Sequence, residues 1–412
     1  MIKNSAVYLS SNIVSAAMPF FLLPVLTRYL DTEEYGQLAM FQFVCVGVLS
    51  LISTGVIKAS SRTYYDNSLS EDAFKAYIFA CLYIPFFIMI LLIASGLYFR
   101  EYFTAWIGIP IEWIITATIV GYLNLVTQIR LTQWQVRKRA ISYGLLQVTS
   151  SLTNLLLSIL LVVVILKGVE GRVLAIAISS CAISIIASMY MVKERVIKVK
   201  YSKEILNKVL MFGLPLTPHA IGLFILSFSD RYIINKYLGL SETGIYLAAF
   251  QLSMVFQIVL TSIDKAYVPW LYKKLTDNVN NKEVVKKIYL MLIVYFSVGV
   301  LLYLLSPWLV YYILGPGYQE ASDILGLLFL AQSFYGGYLL VNNIVFFAKK
   351  NMAMSVHTIT TGTFHIICMI IFVQRFGIVG AAYAFVFSKA IQFIGAWALA
   401  YYSHQLPWLT KK

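Results

Sequence analysis

The residues in this chain with chemistry to offer are charged side chains that interrupt or border long apolar stretches. Lys389 stands eleven residues into an apolar run over 378–402, and Arg130 stands near the end of one over 111–133. Asp230 and Arg231 follow the run over 209–228, Asp264 and Lys265 follow the run over 244–263, and Glu34 and Arg62 flank the run over 36–57. Three histidines, His219, His357 and His365, lie within such runs. A charge placed among hydrocarbon costs about 3 kcal/mol or more, so it normally faces a wet interior or a partner. The chemistry on offer is binding. Arginine grips an anionic group bidentately and lysine holds it as a point charge. Carboxylates can take up protons or cations.

Each candidate has a structural alternative. From mid-membrane, Lys389 would have to reach about 15 Å to an interface, too far for a lysine, which points it into a water-filled interior. Arg130 sits about one turn from its helix end beside Gln128 and Gln133, where it can either snorkel or line a chamber. Asp230 and Arg231 point about 100° apart on a helix and do not simply pair with each other. They either latch other helices or serve transport. Asp264-Lys265 and Arg62 read as inner loop-edge residues, and His219 as a packing residue with proton transfer as the alternative. Asp230, Asp264 and Glu34 are the carboxylates available for ion coupling, with proton and sodium both open. No cofactor or metal is expected: Cys45, Cys81, Cys181 and Cys368 all fall in apolar segments without C-x-x-C spacing.

These side chains must be positioned by membrane-spanning helices. The 412 residues are 60% hydrophobic and 12% charged, with a mean hydropathy of +0.79. Soluble domains carry about 25% charge, so the chain is a polytopic membrane protein. Twelve apolar segments follow: 5–27, 36–57, 76–99, 111–133, 142–166, 173–192, 209–228, 244–263, 288–314, 324–347, 352–373 and 378–402. Their length and lack of alternation make them helices. The first, broken by Pro19 and Pro24, reads as an uncleaved span and not as a signal peptide. Prolines and glycines in the first and seventh segments mark either hinges or ordinary kinks. Trp106, Trp113, Trp308 and Trp408 read as an interface belt. The net charge of +14 belongs to cytoplasmic loops and not to nucleic-acid binding. With the amino terminus inside, 24 lysines and arginines fall on the inner side against 7 outside. Both termini are therefore expected in the cytoplasm, with the basic stretch around Lys265–Lys287 touching lipid headgroups and open to forming a surface helix.

The chain also repeats itself. Tyr29-Leu30, Glu34 and Gly36 match Tyr237-Leu238, Glu242 and Gly244 at an offset of 208. Gly168-Val169-Glu170-Gly171, Ala175 and Ser179 match Gly377-Ile378-Val379-Gly380, Ala384 and Ser388 at an offset of 209. Arg137-Lys138 and Lys349-Lys350 both close a span on the inner side. Six spans per repeat give a parallel repeat, a transporter signature with substrate held between halves. The expected division is a bundle over 1–192, a basic linker over 193–208 and a second bundle over 209–412.

The stretch Phe212-Gly213-Leu214-Pro215-Leu216-Thr217-Pro218-His219, with Asp230-Arg231-Tyr232-Ile233, Gly239-Leu240 and Gly244-Ile245-Tyr246, resembles the Wzx-type polysaccharide flippases. These belong to the multidrug/oligosaccharidyl-lipid/polysaccharide exporter superfamily. Arg28 with Tyr35-Gly36 looks like the matching element of the first half. The resemblance implies an all-α, MATE-like V-shaped fold of two pseudo-symmetric six-helix bundles. It implies a flippase, not an enzyme, that carries undecaprenyl-diphosphate-linked oligosaccharide to the outer leaflet of the inner membrane for O-antigen or capsule assembly. It further implies alternating access, cation-gradient coupling by H+ or Na+, and contact with membrane lipids, a polysaccharide polymerase and chain-length machinery. On this reading Lys389, Arg130 and Arg231 are the cationic substrate-binding candidates, Asp230, Asp264 and Glu34 the ion-coupling ones, and Arg62 and His219 secondary. A cation-coupled multidrug exporter of the same superfamily is the alternative, and a membrane-embedded polymerase a more distant one. The short outer loops gather no catalytic carboxylates. Reporter fusions after Lys200 and after Gly239 should show opposite sidedness; the same sidedness at both would exclude the twelve-span topology.

Overall fold

The structure, a computed structural model, describes residues 2–53, 55–65, 70–277, 281–404 and 406–408; the side chains of residues 2–6, His219, Leu226, Asn281 and Asn351 lie outside that description. Its described residues form helices and turns with no strand. In chain order the helices are α1 (Ile2–Tyr29), α2 (Thr32–Ile52), α3 (Val56–Thr63), α4 (Glu71–Tyr98), α5 (Arg100–Ile107), α6 (Ile111–Val136) and α7 (Ala140–Ser158). They continue with α8 (Gly168–Lys193), α9 (Lys203–Gly213), α10 (Thr217–Leu238), α11 (Leu240–Asp277), α12 (Asn281–Ile313), α13 (Ala321–Phe347) and α14 (Asn351–Ser403). A membrane leaves no alternative to helix for such segments, because every backbone N–H and C=O must be satisfied within the span. Among the described residues, ten helices are long and apolar enough to cross a membrane. Of these, α14 is broken at Gly377 into two arms, and α10 adds a 22-residue segment, which accounts for the twelve expected spans.

The chain divides into two compact units, Met1–Tyr232 and Ile233–Lys412, with the boundary inside α10. In the first, α6 packs on α2, α4 and α8, while α1 packs on α7. In the second, α13 packs on α11, α12 and α14. Small residues on α13 permit this: Ser333 donates to the Tyr295 carbonyl at 3.1 Å, and Gly336 receives the side chains of Tyr295 and Leu260. Close approach of this kind is what holds helices together where hydrophobicity gives no preference.

The matched glycines have a common local cause. Gly168 and Gly377 both adopt positive φ, +55° and +61°, where a side chain is strained. Each turns the chain between two consecutive spans. Three residues on, Gly171 lies against the Leu161 carbonyl and Gly380 against the Phe372 carbonyl, so the second helix presses on the backbone of the first. The matched basic pairs, Arg137-Lys138 and Lys349-Lys350, also share a form. Lys138 and Lys349 both have φ of 58°. Their turns close with Arg139 N–H donating to the Trp134 carbonyl at 2.9 Å and Lys350 N–H to the Val345 carbonyl at 3.2 Å, the Schellman ending of a helix.

Several sequence boundaries shift. The second span stops at Ile52, and Gly55, at φ +67°, starts the separate short α3. The seventh span begins later than 209. The chain forms α9, turns through a 3-10 segment at Leu214–Leu216 containing Pro215, and only then enters α10. By contrast, α1 runs through Pro19 and Pro24 unbroken. The basic stretch before α9 is strapped to the first unit: Lys198 donates its N–H to the Lys75 carbonyl at 3.3 Å and pairs with Asp72 at 2.6 Å. No separate surface helix forms at 265–287 among the described residues. Instead α11 is 38 residues long, roughly 57 Å at 1.5 Å per residue, and overshoots a hydrocarbon core of about 30 Å. Its end is tied to α12 by a Lys274–Glu283 pair at 2.8 Å. Trp106 and Trp308 are exposed as a belt requires, whereas Trp408 is buried against Trp397.

A methyl group at Gly380 would overlap the Phe372 carbonyl, one at Gly171 would stand 2.8 Å from the Leu161 carbonyl, and one at Gly222 would meet nothing. Gly380→Ala should therefore lower the thermal midpoint of the detergent-solubilised protein most, Gly171→Ala less, and Gly222→Ala not at all. A Gly380→Ala protein as stable as wild type would contradict this packing.

Candidate functional site

Each buried charge is best understood through the group that compensates it. Arg130, on α6, is fully buried. Its Nη2 lies 2.6 Å from Glu194 Oε2, and its guanidinium stacks 4.0 Å from the Trp134 ring. Trp134 Nε1 donates to Glu194 Oε1 at 3.3 Å, and Arg139 reaches Glu194 Oε2 at 2.8 Å. Glu194 immediately follows α8 and thereby joins the ends of α6, α7 and α8. From sequence Arg130 can either snorkel or line a chamber; its guanidinium is buried in this latch. The reason is a carboxylate not singled out from sequence. Arg130 was placed one turn from the inner end, and Glu194 is the acid at the inner end of the sixth span, so shared depth was the available signal.

Glu34 also has a structural attachment. It completes a capping box with Asp31 at the start of α2 and accepts the Val169 N–H at 3.1 Å, stitching two helix N-termini together. There its negative charge is favourable. Arg62 is exposed on α3, with its guanidinium 5.1 Å from the Phe212 ring. Asp230 and Arg231 are both buried on α10. The Arg231 N–H donates to Asp230 Oδ1 at 2.9 Å, and the guanidinium lies 4.3 Å from the Phe228 ring. His219 is on α10, and its side chain lies outside the described residues.

The second unit brings two candidates into one polar seam. Asp264 stands within α11 and not at its end. It is half-buried and accepts from Asn343 Nδ2 at 2.8 Å. Lys389, half-buried in the second arm of α14, has its Nζ 5.3 Å from the Tyr335 and Phe385 ring centroids and donates to Gln392 Oε1 at 3.3 Å. The Gln392 carbonyl lies 2.9 Å from His357 Nε2 on the first arm. Gln332 donates to Gln257 Oε1 at 3.5 Å beside the same seam. A carboxylate, a phenol, amides and an ammonium thus lie on α11, α13 and α14 within one unit, a set able to hold polyhydroxyl or anionic groups. His365 is buried, with Nδ1 3.0 Å from Ser388 Oγ, a packing arrangement.

Two cavities of the first unit differ sharply in their lining. One, of about 470 Å³, is almost wholly apolar and is walled by aromatic rings including Phe43, Trp106, Phe224 and Tyr232. The other, of about 230 Å³, is polar and contains Arg172, a residue counted from sequence only as an outer-loop cation. Its signal lay in Ser150, Ser151, Asn154 and Ser158, a polar face within an apolar helix.

Comparison with known proteins places this geometry in context. A family described as "Polysaccharide biosynthesis protein" matches residues 1–275. An "Uncharacterized membrane protein" of Haemophilus influenzae is 26% identical over 371 residues, covering 86% of each chain. The "Lsg locus putative protein 1" of the same organism is 25% identical over 365 residues, again covering 86% of each. Among solved structures, the lipid II flippase MurJ in an inward closed conformation matches with a TM-score of 0.77 at 16% identity, covering 96% of this chain and 87% of that one. An inward-facing MATE family multidrug transporter matches with a TM-score of 0.72 at 13% identity, covering 96% and 97%. The fold is that of the MATE and MurJ transporters.

The latch generates a prediction. Burial alone would raise the Glu194 carboxyl, but hydrogen bonds from Arg130 and Trp134 and the charges of Arg130 and Arg139 hold it below the usual glutamate range. Its stabilisation is therefore complete above the ordinary glutamate value and is lost as pH falls through the depressed one. Glu194→Gln should destabilise the solubilised protein by about 2–4 kcal/mol, because Arg130 stays buried without its counter-charge. The variant should also lose part of the wild type's stability decline at acid pH. A Glu194→Gln protein with the same thermal midpoint as wild type at every pH would remove the latch.

Proposed function

The chain belongs to the polysaccharide biosynthesis protein family, and on that premise we propose that it is a flippase for lipid-linked oligosaccharide. The cargo is an undecaprenyl-diphosphate-linked repeat unit, moved from the cytoplasmic to the outer leaflet of the inner membrane for surface polysaccharide, O-antigen or capsule. Passage is by alternating access between two six-span bundles, 1–192 and 209–412, with both termini cytoplasmic. A polymerase and its chain-length machinery consume the product. The protein makes and breaks no covalent bond.

The observation that carries this reading is Lys389, a half-buried mid-span ammonium set among an amide and two aromatic faces. A diphosphate leaving water needs positive charge, and aromatic faces with amides suit sugar rings and hydroxyls. Arg231, buried on α10, is the second candidate for the diphosphate. Arg130 acts by holding the inner helix ends in register. Ion coupling rests on Asp264, whose carboxylate is half-buried and held by Asn343, with H+ or Na+ antiport as the drive; Asp230 is the second carboxylate for that role.

In a host lacking the gene, Lys389→Ala should reduce surface polysaccharide strongly while the protein accumulates normally in the membrane. Lys389→Arg should retain part of the activity, since charge is kept and geometry changes. Wild-type export from Lys389→Ala would sink the cationic site. Drug sensitivity with normal polysaccharide on deleting the gene would replace the flippase reading with that of a multidrug exporter.

A further inference from the structure

The polar cavity of the first unit is not used by any step above. It lies between α1, α6, α7 and α8, has a volume of about 230 Å³, and Arg172 is the one charged residue among those lining it. No ion pair to Arg172 occurs among the described residues. Its Nη1 donates to Asn154 Oδ1 at 2.8 Å and to the Ser158 hydroxyl. Those two bonds aim the guanidinium but bring no charge. Its Nε is buried and has no hydrogen-bond partner.

The neighbouring hydroxyls and amides are spent unevenly. Ser15 and Ser151 donate to the Gln147 carbonyl, and Ser179 donates to the Ile176 carbonyl. Ser180 donates to Asn124 Oδ1 at 3.4 Å, which leaves the Asn124 amide N–H pair unspent. The remaining donors at this wall are Arg172 Nε, Asn124 Nδ2 and the Ser150 hydroxyl, and no carboxylate joins them.

Arginine does not escape burial by losing its proton, and an uncompensated cation inside a membrane is costly. We propose that this cavity binds a small monovalent anion, a halide or a carboxylate, against Arg172, with Asn124 and Ser150 as further donors. One guanidinium balances one negative charge; a diphosphate would bring more charge than the wall can meet. At ~30 Å³ per water, the space admits such an ion with several waters. The proposal concerns the first unit alone and stands whether or not the flippase reading does.

The test uses the purified full-length protein in detergent at constant ionic strength, with sodium sulfate as the balancing salt. Sodium bromide and sodium glucuronate are titrated separately while the thermal midpoint is followed. A saturable rise with bromide identifies a free halide; a rise with glucuronate alone identifies a sugar carboxylate. Arg172→Gln should abolish the rise, and Arg172→Lys should keep it at a higher half-saturating concentration. Asn124→Ala and Ser150→Ala, which leave Arg172 in place, should each raise that concentration several-fold, so the test survives if Arg172→Gln does not fold. No anion-dependent shift in wild type, or an unchanged shift in Arg172→Gln or in both Asn124→Ala and Ser150→Ala, overturns the proposal.

Discussion

A charge inside hydrocarbon must be answered by another group, and the arrangement of this molecule follows from where each answer is found. The same rule acting on the backbone makes every span a helix. Acting on side chains, it decides which helices touch. Arg130 and Glu194 meet at 2.6 Å, and their meeting, with Arg139, brings the ends of three helices together. Glu34 spends its charge on helix N-termini. Lys389 is met by Gln392 and by ring faces.

Packing supplies the second half of the design. Lipid is as apolar as a leucine side chain, so helices gain little by hiding apolar surface from it. Contact instead comes from shape. On α13, Gly336 and Ser333 let neighbouring helices come close. The same device recurs at the two glycine pairs, where a carbonyl of one helix fills the space that a side chain on the next would need. Two stretches about 209 residues apart thus carry the same letters because they solve the same steric problem, a one-residue reversal followed by backbone contact.

The spans, the glycine pairs and the polar mid-span positions were legible because they depend on local composition and backbone sterics. Boundaries set by single residues were less so: Gly55 ends a span that hydropathy alone continues, and Pro215 delays one that hydropathy alone begins. Asp264 reads as a loop-edge residue until α11 is seen to continue to Asp277, since amphipathic helix beyond the membrane has no apolar signature. Arg130 and Arg172 were the hardest. Their partners, Glu194 and Asn154, lie 64 and 18 residues away, and no spacing rule links them. Charge type was readable from sequence, whereas the identity of the compensating group needed the tertiary contacts.

The break at Gly377 bears on how the chain is made. The two arms of α14 are joined through one non-helical residue, with no hydrophilic loop between them. Neither arm can enter a bilayer while the other waits in water, because the connection has no length to span the headgroups. The last two spans therefore enter a bilayer together as one hairpin, with Arg375 and its neighbours at its tip. A polar insertion at this point would strand one arm and should fail at membrane integration, before any question of transport arises.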